Sequence, residues 1–438
     1  MEAAEKGNIS HCEKDADTEG KQNLFEVLKA ISDKVSKLSE EGVNERLEVL
    51  LKMVLMRLEE PDPGRAIRTF QSVNDRGVPL LLLDKLKSLL IYYSNTFCDG
   101  KKGLDQFIND HFGEIFKIFA KIKKSDNFSS VGDEGDIFRY HAGSQRFDGI
   151  EFLGHYRTST DNTYEKLKAE LKKIKKSKLE SFIQSYVSDL KNFYQAFLDL
   201  LSEIDTNPTT LKVMLINRIN PLFFNSLIRL KINNELDDET LKLFAKTDIV
   251  FFKATKKLNS KAYNLINAYL KKGKEGLKSE MIAQCRNDIG LASLELVNNA
   301  FNSSCFHYVF FEKNCQEMGL DTLKKLIREK TKEHIIPIDL LEQRSNNKIR
   351  DLGFEDKEDL GAYINTYGNL ISLEGPLNSQ ANDKDLYGKD EIYKNSAIPF
   401  NRRFDTKNFN KEALKKRNGE MREWLITPFL RILPPTKD

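Results

Sequence analysis

"REKTKEHIIPIDLLEQ", residues 328–343, is where the character of the chain changes. A lysine-rich helical pattern runs straight into Glu-His-Ile-Ile-Pro. Isoleucine suits a pleated surface, and proline cannot donate to an inner strand, so the segment reads as an edge strand or extended stretch. A surface turn leading into a short strand explains it. A site where the acid and the imidazole act on a phosphodiester explains it equally. The surrounding sequence has to choose.

About 25 residues on comes "YINTYGNLISLEGPLNSQANDKDLYGKDEIYKNS" (363–396). "GNLISL" reads as a second short strand, predicted at Leu370–Leu373 beside Glu333–Ile338. The following segment, opened by proline and asparagine, turns helical from about Asn378. Strand, loop, strand, helix is the outline of a ββα-metal finger. Phosphodiester hydrolysis needs an activated water and a cation at the phosphate. His334 can serve as the base. A neighbouring carboxylate points the other way on a strand, but a distorted strand end can return it to a metal. Asparagines on the helix supply oxygen, and oxygen ligands suit Mg²⁺. Glu333, His334, Asn369, Asn378 and Asn382 are the needed types in the needed order. Taken singly, each is more often a turn, a cap or a structural side chain.

Composition sets the outer limits. The chain has 438 residues, 31% charged and 40% hydrophobic, with 69 Lys+Arg against 66 Asp+Glu. That length suits two or three domains with real cores. A net charge of +3 neither demands nor excludes nucleic acid. The cysteines, Cys12, Cys98, Cys285, Cys305 and Cys315, form no CxxC. Cys305, His307 and Cys315 lack a fourth ligand at metal-site spacing, so core thiols in a reducing compartment are expected. No apolar run reaches the ~18 residues of a membrane span. Residues 1–22 are polar and acidic, which predicts a disordered lead-in, no secretory signal and a cytoplasmic location.

Helix dominates the rest, and the predicted fold is mainly α with a small C-terminal ββα element. Between Asn23 and Leu58 apolar residues recur at three and four, with Gly42 as the predicted break. "EEPDPG" (59–64) stops that run. Asp84 reads as the cap of a helix from Lys85 to Tyr93. A loop-rich interval is predicted near 124–161, then one long helix from Tyr164 to Ile204. Its second half carries Phe182, Tyr186, Leu190, Phe193, Phe197 and Leu201. Its first half carries Lys166, Lys168, Lys172, Lys173, Lys175, Lys176 and Lys178, read as a solvated face or, alternatively, a phosphate-facing track. Asp237 or Asp238 should cap the helix that follows, and another should run from Leu320 to Lys330.

The conjunction E-H-I-x-P, G-N-L-x-S-L, L-N-S-x-x-N, then Lys389 and "YKNS", is specific. With "KKRNGEMREWLITPFLRI" (415–432), which brings Arg417, Arg422 and Trp424, it resembles the HNH-type C-terminal domain of the GmrSD family of type IV restriction enzymes. "FQSVNDRGVPLLLLDKLKSLL" (70–90) resembles a box of that family's ParB-like N-terminal domain, through Phe70, Asn74, Arg76, Gly77, Pro79, Leu80, Asp84 and Lys87. The resemblance spans about 60–438. The family's upstream Tyr-Gln-Arg and Asp-Gly-Gln-Gln-Arg boxes, which carry nucleotide hydrolysis, do not occur before residue 60. "GSQRF" (143–147) echoes them in the wrong order.

The resemblance implies four segments: a lead-in (1–22), a remnant ParB-like domain (23–100), a helical middle (101–325) and an HNH-like domain (326–438). It implies a metal-dependent endonuclease acting on DNA, modified phage DNA in particular. His334 would be the base, and Glu333 with Asn378, or Asn382, would hold Mg²⁺ or a similar divalent ion. Asn369 would orient the histidine, and Lys389 or Arg417 would meet phosphate. A partner subunit would supply the nucleotide boxes. The competing readings are an inactive DNA- or partner-binding subunit, and a nucleotide-sensing regulator.

Overall fold

Apolar residues spaced at three and four build the helices. In the Lys102–Lys124 helix, Leu104, Ile108, Phe112, Ile115, Phe119 and Ile122 form one stripe, each at most 5% exposed. The stripe packs on the Leu82–Phe97 helix, which buries Leu83, Leu86, Leu89, Leu90 and Tyr93. Burying one such side chain contributes about 1.5–3 kcal/mol, so a stripe of six outweighs any difference in helix propensity. Phe119 also meets Tyr194 edge to face, with ring centroids 6.0 Å apart.

The computed structural model describes residues 19–53, 69, 81–98, 102–144, 159–256, 260–315, 318–382 and 384–431. The chain divides into two compact units, Met1–Leu198 and Asp199–Asp438. It is mainly α, and the described residues form one two-stranded sheet. None of their helices is long and apolar enough to cross a membrane.

Several helix boundaries differ from expectation, each for a local reason. The first helix runs from Glu19 to Val35, so it begins inside the predicted lead-in. The break before the next helix, Glu40–Lys52, is made at Ser39, whose hydroxyl accepts the Gly42 N–H at 3.2 Å. Gly42 itself is helical. Asp84 does not cap its helix, which begins at Leu82. The free Leu83 N–H is taken instead by the Glu134 carboxylate, 51 residues away, at 3.1 Å. The interval 124–161 contains a helix, Glu134–Ala142, opened by a reciprocal capping box between Asp133 and Asp136. The stretch Tyr164–Ile204 is two helices, Thr160–Lys173 and Lys176–Ile204. The lysine run therefore straddles a helix end and the next helix start. Six of its lysines are exposed, and Lys168 is half-buried.

In the second unit, Asp237 is the cap, accepting the Thr240 N–H at 2.8 Å. The Leu320–Glu329 helix leads directly into β1, Lys330–His334. β1 pairs antiparallel with β2, Leu370–Glu374, from Lys330 opposite Glu374 to His334 opposite Leu370. The first strand thus starts three residues earlier than predicted and ends at His334, not Ile338. The reason lies in the next two residues. The Ile335 and Ile336 N–H groups are taken by the backbone and side-chain oxygens of Asn369, both at 2.8 Å. The chain turns there, and Ile338–Leu341 forms a short 3₁₀ turn. After β2 the Gly375–Ala381 helix begins at once, with Pro376 in its first turn, and Leu386–Tyr393 follows. Strand, strand and helix occur in the predicted order.

Gly368 fixes how closely the Lys411–Trp424 helix approaches this hairpin. A Cβ there would overlap the Leu414 carbonyl oxygen and stand 2.9 Å from Asn418 Oδ1. Gly368→Ala should destabilise the protein by about 1–3 kcal/mol, the usual cost of overpacking. Urea unfolding checks it, and a wild-type midpoint would contradict the close approach.

Candidate active site

A strand sends alternate side chains to opposite faces. In β1, Lys330, Lys332 and His334 share one face, and Thr331 and Glu333 share the other. The acid and the histidine of the Glu-His pair therefore diverge.

Glu333 is 4% exposed. Its Oε1 accepts from Lys389 Nζ at 2.6 Å and from the Tyr393 hydroxyl at 3.1 Å, both carried by the Leu386–Tyr393 helix. Lys389 is 1% exposed and also donates to the His334 carbonyl oxygen. Burial pushes the carboxyl up and the ammonium down, and their mutual attraction opposes both shifts. Lys389 thus faces inward, away from any phosphate, and anchors the last rung of β1.

Arg417, the other expected phosphate contact, also turns inward. Its guanidinium donates to the carbonyls of Gly368 and Leu370, the latter at 3.2 Å. The rings of Phe404, Tyr367, Phe400 and Phe409 surround it at 4.8–5.9 Å. Desolvation lowers its pKa to about 10, so it stays charged at neutral pH. Beside it, Asn418 accepts the Gly368 N–H at 2.6 Å and donates to Thr366 Oγ1 at 2.9 Å.

His334 is half-buried at the end of the ladder. Its Nε2 meets Asn365 Oδ1 at 3.1 Å, and its ring stacks on Phe301 at 4.8 Å between centroids. The Phe301 N–H donates to the Asn365 carbonyl at 3.1 Å, which ties the two flanking residues together. With a carboxamide oxygen on Nε2, the neutral ring carries its proton there and keeps the Nδ1 lone pair. Burial lowers the pKa below the usual 6.5, with Lys389 helping and Asn365 opposing.

Asn369 is fully buried. It donates to the Ile336 and Ile364 carbonyls at 3.1 and 3.0 Å, besides accepting from Ile336. It holds the backbone just past His334. Asn378 is half-buried in the Gly375–Ala381 helix, and Asn382 is exposed just after it. The described residues hold no group of three or more His, Cys, Asp and Glu placed to share a metal. Glu333 Oε1 is already spent on an ammonium and a phenol. A divalent site built on Glu333 therefore does not fit the residues as placed.

His307, Cys305 and Cys315 form no metal site among the described residues. Cys305 and Cys315 are buried free thiols. His307 bonds Ser372 Oγ at 2.9 Å, and burial drives its pKa down to about 3. Phe70, Asn74, Arg76 and Gly77 lie outside the described residues. Asp84 and Lys87 sit half-buried on the Leu82–Phe97 helix of the first unit. Sequence reasoning missed Asn365, Phe301 and Asn418. Asn365 stands at a helix end, where asparagine is common, and only the folded register brings it to His334.

Residues 284–424 match the family model described as GmrSD restriction endonucleases, C-terminal domain. This segment is a GmrSD-like domain. It begins upstream of residue 326, and the additional part carries Phe301 and His307, which pack on His334 and Ser372. No curated protein matches the chain. The GmrSD-like domain is of the restriction-endonuclease type.

The buried pair of this domain can be tested directly. Glu333→Gln or Lys389→Met alone should cost about 3–5 kcal/mol, because each strands a buried charge, while the two together should recover most of that loss. Urea melts of the three variants decide it. His307 sets a pH dependence. The unfolded chain protonates this group below pH 6.5, but the native state does so only near 3. Its contribution is therefore complete above pH 6.5 and is lost as pH falls toward 3. His307→Asn should flatten thermal stability across that window.

Proposed function

We propose that the GmrSD-like domain is an HNH-type DNA endonuclease with His334 as general base. One observation carries this reading. A half-buried imidazole, its Nε2 held 3.1 Å from Asn365 Oδ1, sits at the end of a two-stranded sheet followed by a helix. In the reaction, Nδ1 takes the proton of a water as its oxygen attacks phosphorus. The bond from phosphorus to the leaving oxygen breaks, and that oxygen is protonated by solvent. Phe301 and Asn365 hold the ring plane, and Asn369 and Lys389 hold the backbone that carries it.

A divalent cation such as Mg²⁺ would supply charge neutralisation at the phosphate. With Glu333 committed to Lys389, the carboxamides of Asn378 and Asn382 are the remaining oxygen donors among the proposed ligands. The family resemblance makes DNA, and modified phage DNA in particular, the proposed substrate, and antiviral defence the proposed setting. It also proposes a partner subunit for the nucleotide boxes. A second reading, an inactive DNA- or partner-binding subunit, is favoured by that same neutralised Glu333.

Plasmid nicking with and without Mg²⁺ separates the two. General-base catalysis is typically worth ~10²–10⁴-fold. His334→Ala should lose that much cleavage while keeping its fold and DNA affinity, and Asn378→Ala should need more Mg²⁺. Because burial lowers the imidazole pKa, the acid limb of the rate profile should have its midpoint below pH 6.5. Equal cleavage by parent and His334→Ala would make the histidine structural.

A further inference from the structure

Lys389 and Arg417 face inward, so a phosphate backbone must be met by other cations. β1 offers them on the His334 face. Lys330 and Lys332 alternate with Thr331 and Glu333 and are half-exposed. Alternate strand positions stand about 6.6 Å apart, so Lys330 to His334 spans about 13 Å. That length covers more than one phosphate of a strand whose charges recur every ~3.4 Å of axis.

Neither lysine has a carboxylate within ion-pair reach among the described residues. Glu374, opposite Lys330, spends its oxygens on Ser396 Oγ at 2.8 Å and the Ala397 N–H at 2.5 Å. Lys330 Nζ donates to the Ile327 carbonyl at 2.8 Å. Lys332 Nζ donates to the carbonyls of Phe301 and Ser303, the second at 2.8 Å. An ammonium has three donors. Lys330 thus keeps two and Lys332 one, on side chains already held in place by backbone.

A third cation joins them. The Leu320–Glu329 helix, whose C-terminal cap is Lys330, packs on the π-helical turn Lys212–Ile216. Arg218 follows that turn, exposed and in the left-handed conformation, with φ 54°. Burial and the Arg218 charge together lower the Lys330 pKa. Cations crowded without a carboxylate repel one another, and an anion placed among them relieves that repulsion.

We infer that Lys330, Lys332 and Arg218 form a phosphate-binding row that seats duplex DNA beside the His334 imidazole. The inference rests on the endonuclease reading for its substrate.

The test measures binding, so that the two can fail separately. Fluorescence anisotropy of a labelled DNA duplex is followed against KCl, without divalent metal, in the His334→Ala background. Lys330→Gln and Arg218→Gln should each lower the slope of log K against log salt by about 0.9 per lost phosphate contact. Lys330→Arg should restore it. These two positions carry the test because Lys332→Gln would also release Phe301. Unchanged slopes in both folded Gln variants, or no duplex binding at all, would overturn the row. Reduced slopes with no cleavage by the His334-intact chain would keep the row and sink the endonuclease.

Discussion

The side chain of Asn369 makes three hydrogen bonds where no water reaches, to the Ile336 N–H, the Ile336 carbonyl and the Ile364 carbonyl. Its own carbonyl accepts a fourth from Ile335. Left unpaired in the core, each such group would cost about 1–3 kcal/mol. The asparagine therefore decides where the ladder stops. β1 ends at His334 because the next two N–H groups are claimed by one residue of the other strand's approach. Gly368, directly before it, lets the Lys411–Trp424 helix close over the same turn. Arg417 of that helix then donates to the Gly368 and Leu370 carbonyls, and Asn418 accepts the Gly368 N–H and donates to the Thr366 hydroxyl. His334 sits on a backbone held from both sides.

Charge is sorted by the same construction. Lys389 sits inside and spends donors on Glu333 and the His334 carbonyl of β1, while the half-buried Arg417 turns its guanidinium onto the Gly368 and Leu370 carbonyls at the start of β2. A buried ion pair gains little stability over an apolar pair of the same shape, since desolvation offsets the attraction. What Lys389 adds is position: one ammonium reaches both the Glu333 carboxylate and the His334 carbonyl. Among the described residues, the cations left on the other face pair with no carboxylate. The second unit repeats the inward device at Asp248, fully buried and paired with Lys253 at 2.7 Å and Asn217 at 2.9 Å.

Much of the helical frame was legible because burial imposes a period. The stripe Phe182, Tyr186, Leu190, Phe193, Phe197 and Leu201 is buried as its spacing predicts, and the second strand lies where glycine and isoleucine place it, while the following helix starts at Gly375, three residues before the predicted Asn378. Helix starts were less legible. Caps can come from far along the chain, as Glu134 does for Leu83, and a serine outranked the glycine at residue 42. Among the site residues, charge misled. Lysine and arginine read as surface in a linear sequence, and nothing in "YGKDEIY" or "KKRNG" marks Lys389 or Arg417 as interior. Their burial is a property of the helices that carry them. Asn365 was invisible for a related reason: its partner lies 31 residues away.

Why an acid and a histidine stand side by side then follows from strand parity. On a regular strand, neighbours cannot serve the same ligand, because their side chains leave opposite faces. Both residues here are within the paired ladder, Glu333 opposite Ile371 and His334 opposite Leu370. No distortion returns the carboxylate to the histidine's side. The two residues therefore divide the work across the sheet. Glu333 ties the strand to the Leu386–Tyr393 helix from below. His334, one residue later, is carried half-buried to the other face on the backbone that this tie immobilises. The same parity places Lys332 two residues before the histidine, where its ammonium grips the Phe301 and Ser303 carbonyls and so steadies the ring stacked on the imidazole.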